Sequence, residues 1–378
     1  MAMAADWSEL PKDLLNLISE RIDSELDLTR FRSVCSNWRS SSIPNHHPNS
    51  TIEFPLFKAP FLSDSINNIT SFCKLFKHSF FLIKPPLQQQ QQQTLVQPWL
   101  IRITQTSSDK NRLIHPFLTH QYQSPYPFHF PHALNFSELS VRHLGSGFIN
   151  AEPEPLKHFY MQPEKVVSVT CQGKKPIVLA TLHSIFTPVP LLLKCGDDNW
   201  KVIPDILTFS LDVCLFKGWP YVVDKVGRTI TFGPDDLTVQ LVAEPFVDGA
   251  GGKVKFLVEN EGDLLLVDIY EIFLSYYLDE DALRIYVYRL DEKEKKWVSL
   301  TSLGDRVLFL GNGCSFSASA SDLCVAKGNC VIFIDYMKNG NCVFHLDQDR
   351  LSPLSDYPEY FNLFWPPPEW IVKSCISS

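Results

Sequence analysis

The chain has 378 residues, 45% hydrophobic and 20% charged, with 27 prolines, 27 phenylalanines and 16 glycines. That length holds two or three domains with ample core. A net charge of −8 argues against nucleic acid as a partner, because phosphate backbones call for clustered Lys and Arg.

No apolar run reaches the roughly 18 residues of a membrane-spanning helix; the greasiest stretch, 264–278, is interrupted by Asp268 and Glu271. The start MAMAADWSEL lacks the basic and apolar regions of a secretory leader, so Asn49, Asn68 and Asn135 are not expected to carry glycans. Ten cysteines without a Cys-x-x-Cys pair read as small buried hydrophobes in a reducing compartment. A soluble intracellular protein, with no membrane partner, is the expectation.

Residues 6–42 predict two short helices. Pro11 suits a first turn that leaves its N–H unpaired in any case, and Asp13 lies near the positive end of the helix dipole. Leu14, Leu15, Ile18 and Ile22 follow as one apolar stripe. The second helix is expected across DLTRFRSVCSNWRS, capped by Asp27, with Leu28, Phe31, Val34, Cys35 and Trp38 on one face. Two such helices cannot bury enough surface alone and need a further element or a partner.

The order of these residues resembles the F-box: Leu-Pro opening the first helix and Val-Cys-x-x-Trp-Arg closing the motif within residues 1–45. The resemblance implies docking on a Skp-type adaptor, and through it on cullin. Leu10, Pro11, Leu14, Leu15, Ile18, Leu28, Phe31, Val34, Cys35 and Trp38 match the family's apolar positions. Sequence leaves open which of them face an adaptor and which form the motif's own core.

Residues 46–97 read as a linker, with Pro48, Pro55, Pro60, Pro85 and Pro86 ahead of six glutamines at 88–93, and with a weak strand or short helix across 65–83. From 98 to 372 the pattern is strand, glycine turn, strand. Gly173, Gly218 and Gly262 stand 45 and 44 residues apart, and Gly328 follows after 66. Asp224 and Asp268 each lie six residues past a turn glycine, and Trp200 and Trp297 are separated by 97. A period of about 40–50 residues is that of a β-propeller blade, and the length from 99 to 370 gives about six, with five or seven also allowed. A β-sandwich is the alternative. There is no repeated Trp-Asp or Gly-Gly signature.

The strings PWLIRI, FLVENEGDLLLVDIY, KGNCVIFIDY and above all LGDRVLFLG at 303–311 resemble the C-terminal propeller of plant F-box proteins of the SKIP and KIB type. The expected fold is thus mainly β with a small N-terminal helical motif. The expected function is that of the substrate-recognition subunit of an SCF ubiquitin ligase, holding an unknown target protein on the propeller. The alternatives are an adaptor-binding scaffold and a propeller hydrolase. Family resemblance places it in nucleus or cytoplasm.

No cofactor, metal or catalytic set is expected. The segment 249–253 lacks the Ser/Thr and spacing of a phosphate loop, and Gly145-Ser146-Gly147 lacks the strand-turn-helix context of a nucleophile elbow. His115, His120, His129 and His132 have no ordered ligand spacing. The acidic groups at 197–198, 235–236 and 279–281 read as solvated turns, and Cys314, Cys324, Cys330 and Cys342 as packed thiols. A target would be held on loops such as 196–199, 248–252 or 312–315.

Overall fold

Two units make up the chain, Met1–Ser50 and Thr51–Ser378. The computed structural model describes residues 7–19, 22, 28, 30–32, 34–41, 51–55, 57–58, 72–85, 97–105, 111–114, 116, 139–150, 160–169, 177–183, 189–194, 201–203, 212–233, 238–246, 252, 254–271, 283–311, 313–335, 340–364 and 366–371. Asp27, the glutamine run, the four histidines, Gly173, Trp200, the three acidic groups and loop 196–199 lie outside them.

In the first unit a 3-10 turn at Trp7–Glu9 precedes α1, Lys12–Ser19. The Pro11 carbonyl accepts from Leu15 N at 3.0 Å, so Pro11 sits where the sequence placed it. The expected single helix across 28–40 is instead broken. A helical turn carrying Leu28 and Phe31 ends in a bend at Val34, and α2, Ser36–Ser41, starts afresh. The cause is local: Cys35 Sγ accepts from Trp38 N at 3.5 Å, filling the side-chain acceptor position of an N-cap. That contact gives the Cys-x-x-Trp spacing a physical meaning.

In the second unit β1 (Thr51–Pro55) and β2 (Phe57–Lys58) come first, then β3 (Phe72–Lys84), β4 (Trp99–Gln105), β5 (Asn111–Ile114) and β6 (Ser140–Asn150). β3 is the spine of the first sheet. β6 runs along one side of it, β1 and β4 follow one another along the other, and β5 lies beyond β4. The second sheet has β7 (Tyr160–Val169), β8 (Ile177–His183), β9 (Val189–Lys194) and β10 (Lys201–Val202), with β2 against β7. The third is a meander of β11 (Asp212–Phe216), β12 (Trp219–Val223), β13 (Thr229–Phe232) and β14 (Val239–Ala243). The fourth repeats that plan with β15 (Val254–Asn260), β16 (Asp263–Glu271), β17 (Leu283–Asp291) and β18 (Lys296–Leu300).

The last sheet departs from it. The hairpin of β19 (Arg306–Leu310) and β20 (Phe316–Ser319) leads into α3 (Ala320–Leu323), and β19 then pairs in parallel with β21 (Cys330–Asp335). β22 (Gly340–His345) and β23 (Arg350–Pro353) complete it, and α4 (Pro358–Phe361) covers its end.

The sheets close into a ring. Val167 and Leu179 pack with Val213, Val222 and Ile230; Phe216 and Val223 pack with Leu257 and Leu266; Val258 and Val267 pack with Leu308 and Val331. Phe309 and Phe316 of the last sheet then pack on Phe80, Leu82 and Leu100 of the first, and β6 adjoins β7. A sandwich has no such cyclic order, and the architecture is a β-propeller.

Two sequence expectations are corrected here. The linker over 46–97 contributes strands, and Phe72–Lys84 is the spine of the first sheet. Its Phe-rich run has strand propensity that prolines on either side obscure. Five sheets are found among the described residues, within the five to seven that the spacing allows. Gly328 is not the apex of a hairpin: a Cβ there would lie 2.5 Å from the Asp305 carbonyl carbon, and the residues before it form α3. The spacing of 66 arises from the added β19–β20 hairpin and that helix.

The turns with Gly218 and Gly262 do match expectation. Lys217 and Gly218 have φ of 51° and 74°, and Glu261 and Gly262 53° and 87°, so each two-residue turn has both central residues left-handed, as in the type I′ hairpin.

Candidate protein-docking surface

The helical unit separates its apolar residues into two sets. Leu15, Leu28 and Phe31 are buried, and the Phe31 ring lies 4.6 Å from that of Trp38, centroid to centroid. Trp38 Nε1 donates to the Trp7 carbonyl at 3.0 Å and Asn37 Nδ2 to the Leu10 carbonyl at 3.5 Å, which ties the N-terminal turn to α2. These contacts form the unit's own small core.

The other set faces outward. Trp7 is 67% exposed, Leu14 47% and Val34 55%, and Leu17 and Ile18 are exposed as well. On α1, Leu14, Leu17 and Ile18 stand at i, i+3 and i+4, about 100° round the helix from Leu15. The single stripe expected from Leu14, Leu15, Ile18 and Ile22 is therefore two faces, one inward and one outward. A short helix that is apolar on both sides is built to be covered on both. Fully burying one large aliphatic side chain contributes about 1.5–3 kcal/mol; these four are already about half covered, so each adds roughly half of that and together they are still a substantial driving force.

Of the ten residues that the sequence singled out, Leu14, Ile18 and Val34 are on the outward face, with Pro11 exposed beside them. Leu15, Leu28 and Phe31 belong to the core, and Leu10, Cys35 and Trp38 are half-buried between the two. Leu17 and Trp7 are outward residues not among those ten. The signal for Leu17 was available, because it lies three residues from Leu14.

The propeller is held by polar contacts at its blade junctions. Lys165 Nζ lies 2.6 and 2.8 Å from the two Asp212 oxygens, and Asp212 Oδ2 also accepts from Leu257 N at 2.6 Å. Burial pushes the Asp212 carboxyl up, and Lys165 and these hydrogen bonds act against it. Arg306 reaches back to Asn260 and Glu261 of the fourth sheet at 2.8 and 2.7 Å. Asp322 binds Lys84 at 2.8 Å and also Arg142, joining the last sheet to the first. Burial acts to raise the Asp322 carboxyl, but Lys84, Ser319 and Arg142 outweigh it and hold it low.

The paired aspartates of the repeat are both buried and serve different ends. Asp224 Oδ1 accepts from Val226 N and Arg228 N at 3.0 and 2.9 Å, closing a turn, whereas Asp268 binds Lys255 Nζ at 2.5 Å and Gly252 N at 3.1 Å. Burial holds the Lys255 ammonium below its usual range despite Asp268. The described ends of two candidate target loops are packed: Gly252 is buried on Asp268, and Cys314 lies buried beside Gly145. Cys330 and Cys342 are buried as expected, while Cys324 is exposed in the left-handed residue that ends α3.

Ser146 Oγ lies 2.7 Å from His143 Nε2 and 2.8 Å from Ser79 Oγ. Residues three apart on a strand normally face opposite sides; a bulge in β6 opposite Phe80 and Phe81 brings them together. Ser146 thus sits within a sheet, not on an exposed nucleophile turn.

Comparison with known proteins agrees with this architecture. Residues 72–345 match the family described as KIB1-4 beta-propeller. This chain belongs to that family. The KIB1-4 match begins at the first residue of β3, which supports placing that strand in the propeller. Relatives of the KIB1-4 chain include F-box protein SKIP23 of Arabidopsis thaliana, 34% identical over 97% of this chain and 96% of that one. F-box protein At2g17036 of the same plant is 31% identical over 98% and 95%. Both relatives span the helical unit as well as the propeller, and neither is named as an enzyme.

Proposed function

We propose that this protein is the substrate-recognition subunit of an SCF-type ubiquitin ligase. The observation that carries the reading is the outward apolar face of the helical unit, Trp7, Leu14, Leu17, Ile18 and Val34, in a chain whose relatives are named F-box proteins. A Skp-type adaptor covers that face, and cullin joins through the adaptor. The propeller is the rigid platform for a target protein. Its contribution to rate is tethering, which turns an encounter in solution into one at raised effective concentration. The protein itself makes and breaks no bonds in this scheme, and it works in nucleus or cytoplasm.

Co-purification of the full chain with a Skp-type adaptor tests the proposal. Wild type retains the adaptor, and Leu14→Arg loses it while the propeller stays folded. A wild-type chain that retains no adaptor refutes the reading.

A further inference from the structure

The ring has one junction that the chain does not cross. The backbone passes from β6 to β7, from β10 to β11, from β14 to β15 and from β18 to β19, so the other four junctions are tied covalently. The last sheet and the first meet without such a tie, and among the described strands neither takes a strand from the other. Bringing them together carries the loop-closure cost of the whole intervening chain. This seam must be held by contacts alone. Asp322, with Lys84 and Arg142, supplies one set of them.

Residues 354–371 supply another. After β23 the chain turns through a 3-10 segment, Leu354–Asp356, and α4, and then returns to the first sheet. The Leu363 carbonyl accepts from Leu100 N of β4 at 2.8 Å, and the Phe364 carbonyl from Trp99 Nε1 at 3.4 Å. Trp370 Nε1 donates to the Gln97 carbonyl, just before β4, at 2.9 Å. Across the seam the Phe364 ring stands edge-on to Phe309 of β19, 6.2 Å between centroids. The Tyr360 hydroxyl donates to the Lys327 carbonyl, ahead of β21, at 2.7 Å. Leu354, Tyr360, Leu363, Phe364 and Ile371 are all buried. One segment thus grips both sheets. Pro366, Pro367 and Pro368 lie within it, and their fixed φ reduces the freedom lost when it docks.

We propose that residues 354–371 are a clasp. Docked, they hold the ring shut at the seam between the last sheet and the first; released, they let that seam open while the other four junctions stay closed. Adaptor docking uses the helical unit, so this inference does not rest on the ligase reading.

Thiols already in the chain report the opening. Cys314 is buried at the seam among Phe80, Leu82 and Leu100, and Cys330 is buried with its Sγ 3.6 Å from the Tyr360 hydroxyl. Cys342 is buried in the core between the fourth and last sheets, and Cys324 is exposed. The full-length chain is pulsed with N-ethylmaleimide under native conditions, and each site is read by peptide mass spectrometry. The chains compared are wild type, Phe364→Ala, Trp370→Phe and Phe216→Ala. Phe216 is as deeply buried as Phe364, but at the junction of the third and fourth sheets, so its truncation weakens the ring without touching the clasp.

In wild type Cys324 labels fast and the three buried thiols are protected, since labelling there needs local opening. Phe364→Ala speeds labelling of Cys314 and Cys330 at least tenfold and leaves Cys342 within twofold of wild type. Trp370→Phe, which keeps the aromatic bulk and removes the N–H donated to Gln97, speeds the same two sites at least twofold. Phe216→Ala produces no preference for Cys314 over Cys342. Where circular dichroism shows Phe364→Ala unfolded, Trp370→Phe decides alone. Equal acceleration of Cys314 and Cys342 in a folded clasp variant, wild-type protection of Cys314 in it, or the seam-selective pattern in Phe216→Ala would each overturn the proposal.

Discussion

Lys165 of β7 and Asp212 of β11 meet at 2.6 Å in the interior of the propeller, and the same carboxylate accepts from Leu257 N of β15. One buried ion pair thereby joins three successive blades. Removing one member leaves an uncompensated buried charge, which costs about 3–5 kcal/mol, whereas replacing both with apolar groups is often close to neutral. Lys165→Met alone is expected to lower stability by about that amount, and Lys165→Met with Asp212→Leu to recover part of it, the Leu257 N–H left without its acceptor withholding about 1–3 kcal/mol. Urea unfolding of the two variants checks this, and additive losses would contradict it.

The two apolar sets of the helical unit should respond oppositely. Leu15 is fully buried, so Leu15→Ala is expected to cost about 2–5 kcal/mol and to weaken adaptor capture by unfolding the unit. Val34 is exposed, so Val34→Glu should shift stability by no more than about 0.5 kcal/mol and still abolish capture. Thermal unfolding beside an adaptor pull-down separates the two effects. Equal loss of stability in both variants would show that Val34 is part of the core.

Gly147 of β6 has no room for a side chain. A Cβ there would stand 2.1 Å from the Gly313 carbonyl oxygen, at the junction of the last sheet with the first. Gly218 has a φ of 74° but open space around it. Gly218→Ala is thus expected to cost only backbone strain, about 1–2 kcal/mol. Gly147→Ala should cost more, since backbone must move, and should loosen the Asp322 contacts to Lys84 and Arg142. Hydrogen exchange at β6 and β20 checks the order of the two.

His345 on β22 is buried against Tyr357, 4.8 Å between ring centroids, and Tyr360, 6.2 Å. Burial lowers its pKa below the ordinary 6.5, with Lys327 acting in the same direction and Asp347 and Glu359 against it. Its partner across the ladder is Arg350, and Cys330 pairs with it on the other side. A depressed pKa means that the folded state binds fewer protons than the unfolded one. The stability is therefore complete above the unfolded value and is lost as pH falls through the folded value. His345→Phe should flatten the decline in melting temperature below about pH 6.5. An unchanged acid slope would remove His345 as its source.

The features legible in the chain were those set by neighbouring residues. Pro11 opens a helix because it lacks a donor, and the Lys-Gly and Glu-Gly pairs turn hairpins because glycine accepts positive φ. The break at Val34 was not legible, because helical periodicity runs straight through it and a cysteine is not an expected cap. Phe72–Lys84 reads as linker because prolines and glutamines lie nearby in sequence, while its pairing partners, β4 and β6, are separate strands further along.

Sequence alone thus determined the presence of a helical motif, the hairpin repeat and the residues that resemble an F-box, for these rest on local backbone preference and spacing. Tertiary structure decided the number of blades and which apolar side chains are core or surface. It also decided which distant charges meet, Lys165 with Asp212 and Lys84 with Asp322. A side chain's burial and its partners depend on residues brought close by the closing of the ring, and such proximity between distant positions is not encoded in any local run of the chain.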